Sequence, residues 1–186
     1  MSQRGARILG SVFVFAFALL GIGQCGYKKI QTFQSLENVE ADIVRQFPSA
    51  DAMIPEGLAL YQETSQSVTL IDARSAEEYQ VSRLEGALNL NEVEEILDFL
   101  ESRSDSNDPV VIYGALGYRA AELAQEMDDR GVSNLSHLKG GIFRWVNEGR
   151  EVVDGNGYVT DWVHPYNKLW GRLLDKKHRL TLKESE

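Results

Sequence analysis

The chain has 186 residues, 43% hydrophobic and 25% charged, with 16 glycines and 4 prolines. That is the composition of one globular domain with additions, and it excludes a disordered, collagenous or repeat-built chain. The net charge is −9, and four basic residues (Arg4, Arg7, Lys28, Lys29) but no acidic ones fall before residue 31. Residues 31–186 therefore hold 15 basic and 28 acidic side chains, a net −13, so no nucleic-acid partner is expected.

Arg4 and Arg7 precede an apolar run over 8–22. A positive start and an apolar core of this length read as a secretory signal or a short membrane anchor. Spanning takes roughly 20 apolar residues, which the run reaches only if extended to Gly26. Ile22-Gly23-Gln24-Cys25 resembles the bacterial lipoprotein signal, in which the cysteine is lipidated and becomes the new N-terminus, although Gln24 departs from the small residue expected there. The competing reading is an uncleaved single-pass anchor. Either way, 1–26 is expected to tether an exported chain to a membrane, on the periplasmic face or in the envelope. Basic residues flank both sides of the core, so orientation stays open. The single cysteine, Cys25, excludes an intrachain disulfide and a cysteine-based zinc centre.

Residues 27–50 read as a linker turning helical, with Leu36, Val39, Ile43 and Phe47 at helical spacing and Pro48 as the stop. A short helix is expected after Pro55, with Leu58, Leu60 and Tyr61 as its apolar residues. Strands are expected over 67–72, 86–90, 109–113 and 136–138. Helical segments are expected over 76–79 and 92–100, from near Arg119 with Ala120, Ala121, Leu123, Ala124 and Met127 buried, and after Gly140-Gly141 with Phe143 and Trp145. Strands alternating with helices imply an α/β class and a parallel sheet. The domain is placed at 51–154. Residues 155–186 read as a tail packed on it by Trp162 and Trp170, ending in a frayed terminus, and 102–108 as a polar loop.

Three segments then carry a resemblance. Leu70-Ile71-Asp72-Ala73-Arg74 leads through Glu77-Glu78-Tyr79 to Arg83-Leu84-Glu85-Gly86-Ala87. Val110-Val111-Ile112-Tyr113 leads into Gly114-Ala115-Leu116-Gly117-Tyr118-Arg119-Ala120, and Leu138-Lys139-Gly140-Gly141-Ile142-Phe143-Arg144-Trp145 closes the set. Together they resemble a rhodanese-like domain, a single-domain bacterial type, and the tail from Val163-His164-Pro165 to Trp170-Gly171 resembles an extension of some members. The resemblance implies a three-layer α/β fold with a mainly parallel five-stranded sheet and helices on both faces. It also implies sulfurtransferase chemistry, in which a cysteine opening the pattern Cys-x-x-Gly-x-Arg-Ser carries a persulfide. Gly114 stands where that cysteine is expected and Ala120 where the serine is, while Gly117 and Arg119 fit.

Glycine offers no atom to hold sulfur, so no catalytic residue is assigned. The loop Gly114, Ala115, Leu116, Gly117, Tyr118 and Arg119 remains a candidate anion cradle, because backbone N–H groups at a helix N-terminus attract oxyanions without a nucleophile. The competing reading is a vestigial turn. Tyr113 and Tyr118 carry hydroxyls, but an unactivated phenol has a pKa near 10. The resemblance makes Asp72 and Arg74 structural, with Arg74 paired to an acid such as Glu78. Arg83, standing where the family often has histidine, reads as solvated or ion-paired. His137, His164 and His178 show no metal-ligand spacing, so no metal is expected, and no cofactor either. Trp162, Tyr166 and Trp170 read as intramolecular packing or as a partner-binding stripe. The expected function is a non-catalytic module for an oxyanion or a protein partner. The alternatives are a sulfurtransferase with non-standard chemistry and a structural envelope protein.

Overall fold

The computed structural model describes residues 32–103 and 108–181. The expected signal or anchor with Cys25, positions 104–107 of the polar loop and the terminal 182–186 lie outside these. Among the described residues no helix is long and apolar enough to cross a membrane.

The chain opens with helix α1 (Leu36–Gln46), where the Ser35 hydroxyl caps the Asn38 N–H at 3.3 Å, and the helix buries Val39 and Ile43 on one face. Strand β1 (Ala52–Met53) follows, then α2 (Pro55–Glu63), which starts on proline where no N–H is needed. It buries Leu58, but Leu60, expected on its apolar side, is 57% exposed. Next come β2 (Thr69–Asp72), α3 (Ala76–Val81), β3 (Leu88–Asn89), α4 (Val93–Ser102), β4 (Val110–Tyr113), α5 (Tyr118–Asp129), β5 (Leu135–Leu138) and α6 (Gly141–Asn147). Strands β6 (Val152–Val153) and β7 (Val159–Thr160) form a separate antiparallel ribbon.

The five main strands form one parallel sheet in the order β1-β5-β4-β2-β3. Period-two alternation sends neighbouring side chains to opposite faces. Val111 and Tyr113 of β4 join Val39, Ile43, Leu58 and Phe143, whereas Val110 and Ile112 join Ile96, Leu123 and Met127. Both faces are therefore covered by helices, which is why these strands read as continuous apolar runs. Strand β1 carries no periodic signal of its own. Its two residues become a strand by pairing with β5, Ala52 opposite His137.

The strand order fixes where a site can lie. From β2 the chain runs outward to β3, and from β4 it runs the other way to β5. The connections diverge between the carboxyl ends of β2 and β4, registered at Asp72 and Tyr113, and open a crevice there.

The tail folds back to that crevice. The Val163 N–H donates to His178 O at 2.7 Å and the Leu180 N–H to Val163 O at 3.1 Å. Asn147 Nδ2 donates to Leu173 O at 2.8 Å, and Asn147 Oδ1 accepts from the Asp175 N–H at 2.9 Å. Trp162, expected as an anchor, is 51% exposed. Trp170 is the aromatic residue that packs, against Phe33, Tyr118 and Tyr166.

Candidate oxyanion site

The loop after β4 is shaped from behind. The N–H groups of Ile142 and Phe143, in the first turn of α6, donate to the carbonyls of Gly114 and Ala115 at 3.0 and 3.1 Å. This approach requires Gly141, at φ +58°, because a Cβ there would overlap both carbonyl oxygens. With its carbonyls turned back, the loop continues through Gly117, at φ +107° in the N-cap position of α5. The first-turn N–H groups of an α-helix have no partner within it, and Gly117 brings no capping side chain. A side-chain atom placed on Gly114 would lie 4.0 Å from both Gly117 N and Ala120 N, the nearest heavy atoms beyond its own chain neighbours. Position 114 thus opens onto a spot ringed by backbone donors.

The opposite wall comes from the loop after β2. Asp72 and Arg74 are both buried, and Arg74 lends Nε at 2.9 Å and Nη2 at 2.6 Å to the Asp72 carboxylate. The Arg74 N–H reaches Asp72 Oδ1 at 3.0 Å, and Nη2 also reaches Ser82 O. Arg74 therefore pairs with Asp72 and not with Glu78, the acid expected. Burial alone would lower the Arg74 pKa, but the Asp72 charge overrides it and holds the guanidinium above its usual value. Arg74 Nη1 is buried without a protein acceptor. Glu78 closes a capping box on α3: its Oε2 accepts from the Ser75 N–H at 3.2 Å and hydroxyl at 3.1 Å. Glu78 Oε1 is buried without a donor.

The remaining predicted loop residues point elsewhere. Arg119 lies on the rim, donating to Glu122 at 2.9 Å and to Asn91 O at 2.7 Å. Tyr118 donates its hydroxyl to Asp42 at 2.7 Å, and burial together with that bond raises its pKa well above the usual phenol value. The Tyr113 hydroxyl accepts the Leu84 N–H at 3.1 Å, and burial first, Asp72 second, pushes its pKa far up. Neither phenol ionises near neutrality.

These parts enclose a cleft of about 460 Å³ between the two loops. Tyr166 and Trp170 from the tail form one further wall, their rings stacked at 4.3 Å, with Trp170 6.1 Å from Tyr118. Sequence reasoning placed the 114–119 loop, Asp72 and Arg74 at this end of the sheet but left Glu78 and the two aromatics out of the site. The Ser75…Glu78 spacing signalled the cap. The i, i+4 pair Tyr166 and Trp170 gave no sign of facing a cleft. Among the described residues no three His, Cys, Asp or Glu side chains come together as a metal site. His137 lies in β5, away from the cleft, and burial lowers its pKa.

Comparison with known proteins agrees with this architecture. The chain is 30% identical over 101 residues to the tRNA uridine(34) hydroxylase of Teredinibacter turnerae, covering 50% of this chain and 32% of that protein. It is 30% identical over 97 residues to the enzyme of the same name from Bdellovibrio bacteriovorus, covering 50% of this chain and 27% of that one. The match thus spans about a third of the curated relatives' length. Among solved structures, the thiosulfate sulfurtransferase of Pseudomonas aeruginosa superposes with a TM-score of 0.56 at 19% identity, covering 66% of this chain and 24% of that one. The family model described as the rhodanese-like domain matches residues 55–148, which run from the first residue of α2 through α6 and take in both loops of the cleft. With that match and a parallel sheet whose crevice opens at β2 and β4, the chain belongs to the rhodanese-like domain family.

Proposed function

We propose that this rhodanese-like domain binds a small oxyanion in the 114–119 loop and works as a non-catalytic module. The observation that carries the reading is Gly114. It stands where the family resemblance calls for the sulfur-carrying cysteine, and it leaves open space beside Gly117 N and Ala120 N. Arg74, held positively charged beside Asp72, lines the same cleft. Oriented N–H groups and a helix dipole, equivalent to about half a positive charge, suffice for such binding without a nucleophile. The RNA chemistry in the relatives' names is not carried over, because the matched part is about a third of those proteins and this chain has a net charge of −9.

A sulfurtransferase is the second reading, favoured by a loop with room for a side chain at position 114. Thiocyanate formation from thiosulfate and cyanide separates the two, using the full-length chain and its Gly114→Cys variant, both checked for folding by circular dichroism. A silent wild type beside an active variant is the expected result. Turnover by the wild type would overturn the non-catalytic reading. Sulfate should also raise the melting temperature of the wild type, reaching about 2.7 kcal/mol at a hundredfold excess over Kd, and no rise would remove the cradle. The membrane tether through 1–26 is proposed with the same module. Mass spectrometry of the mature N-terminus tests it, a lipid-modified Cys25 favouring the lipoprotein form and an intact Met1 or Ser2 the anchor.

A further inference from the structure

The tail reverses the charge of the rest of the chain. Residues 31–160 hold nine basic and 24 acidic side chains, a net −15, whereas 161–181 hold five basic and two acidic ones, a net +3. The pairing differs too. Arg45, Arg74, Arg119, Arg130 and Arg144 each meet a carboxylate. Arg172, Lys176 and Lys177 are exposed and pair with no carboxylate among the described residues.

Large apolar side chains share this surface. Trp162, Tyr166 and Leu169 are 51%, 50% and 45% exposed, while Leu173, Leu174 and His178 are buried beneath them. In the short 3-10 turn Trp170–Leu173, side chains three apart eclipse, which sets Leu169, in the N-cap position, beside Arg172. Trp162 is brought next to the second turn, Lys176–His178, because the neighbouring Val163 N–H donates to His178 O at 2.7 Å. The outer layer of the tail therefore interleaves rings with exposed cations.

We propose that this outer face of the tail docks on an anionic lipid surface. Tryptophan and tyrosine suit the headgroup region, where one side of the ring is apolar and the other wet, and each lysine or arginine near an anionic leaflet adds about fivefold in attraction. The acidic remainder of the chain is repelled by the same leaflet, so the charge asymmetry turns the tail toward lipid and the α/β domain away from it. The place where the described chain begins favours lipid over a protein partner. Phe33 stacks on Trp170 at 5.9 Å, and Trp170 on Tyr166 at 4.3 Å. Gly26, the last residue of the proposed tether, precedes Phe33 by seven positions, a reach of at most about 25 Å. A tether in the bilayer thus holds the tail beside the headgroups, and this step rests on the tether proposed above. Tyr166 and Trp170 also line the cleft, so docking brings that wall of the cleft to the lipid surface.

The test uses the full-length chain reconstituted with vesicles of phosphatidylcholine, alone or mixed with phosphatidylglycerol, whose brominated acyl chains quench nearby indoles. Its three tryptophans, Trp145, Trp162 and Trp170, all lie beyond residue 31, so quenching reads docking while flotation reads the tether. Flotation with both lipids is expected, with quenching only where phosphatidylglycerol is present and a fall in that quenching at about 1 M salt, where the screening length is about 3 Å. Trp162→Phe keeps a ring on the face and should remove most of the quenching, because Trp145 is buried and Trp170 half-buried. Arg172→Gln, Lys176→Gln and Lys177→Gln together should weaken docking about a hundredfold, at about fivefold per charge, with flotation and circular dichroism unchanged. Equal quenching by both lipids, or quenching that survives either variant, would overturn the docking face and leave the tether standing. Flotation with both lipids and quenching by neither would overturn it too and give the face to a protein partner. Flotation and quenching with phosphatidylglycerol alone would remove the tether and keep the face, and flotation with neither lipid would overturn both.

Discussion

Two loops leave the same end of the sheet from adjacent strands and treat polar groups in opposite ways. After β2, charge is folded inward: the Asp72 carboxylate collects the Arg74 N–H, Nε and Nη2, and Asn89 Nδ2 ties down the carbonyls of Asp72 and Arg74 at 2.9 Å each. After β4, charge is nearly absent and the loop is held by its backbone, with the Gly114 and Ala115 carbonyls turned back to α6. The first loop is scaffold and the second is the proposed site. They are coupled, because Asp72 faces Tyr113 in the ladder and the Arg74 guanidinium lies 5.7 Å from the Tyr113 ring centroid.

The contrast breaks most sharply at the closed loop. Asp72→Ala leaves the Arg74 guanidinium buried and unpaired, which costs about 3–5 kcal/mol, so urea unfolding should show a large loss of stability or no folded protein. Replacing Asp72 and Arg74 together by apolar residues should cost less than the sum of the single changes, because the stranded charge disappears with its partner.

At the open loop the lever is the glycine behind it. Gly141→Ala drives a Cβ into the carbonyls of Gly114 and Ala115 and strains a left-handed backbone, a cost of about 2–4 kcal/mol from overpacking and strain together. Gly149 has a similar positive φ of +82° but open space around its Cβ position, so Gly149→Ala should cost only about 1–2 kcal/mol. Thermal melts give the two losses, and sulfate protection should fall for Gly141→Ala alone. Equal losses would mean that the close approach to the loop carries no energy.

How far each region was legible in the sequence depends on the range of its interactions. The β4 run and the turn into α5 announce themselves locally, because Val110 to Tyr113 are all apolar and Gly114 and Gly117 punctuate the segment between strand and helix. The partner of Arg74 did not. A pair two residues apart beyond a strand end forms only when the chain turns back on itself, so the helical acid Glu78 looked the better match. Strand β1 was invisible because a two-residue strand has no period. The Tyr166–Trp170 wall depends on a tail whose path is set by contacts such as Asn147 with Leu173 and Asp175, and Trp162, just as aromatic, ends half exposed.

The smallest expected effect is a pH dependence that should reach the open loop first. His137 lies in β5 with its side chain buried and Nδ1 unpartnered, and burial lowers its pKa from the usual 6.5. In the unfolded chain it takes up a proton near pH 6.5, whereas in the fold it does so only at lower pH. Between those values the unfolded state binds more protons, so this contribution is complete above pH 6.5 and is lost progressively below it. Asp42, whose carboxyl is held below its usual 3.8 by the Tyr118, Arg45 and Gln46 hydrogen bonds despite burial, acts in a separate, more acidic window. Urea midpoints measured from pH 7.5 to 5 should therefore fall for the wild type and fall less for His137→Leu. Because β5 pairs with β4, Ile112 opposite His137, and does not touch β2, acid that loosens β5 weakens the strand leading to Gly114 before it reaches the Asp72–Arg74 pair. Sulfate protection should decline over the same interval in the wild type and hold better in His137→Leu, and an identical decline in both proteins would uncouple the open loop from β5.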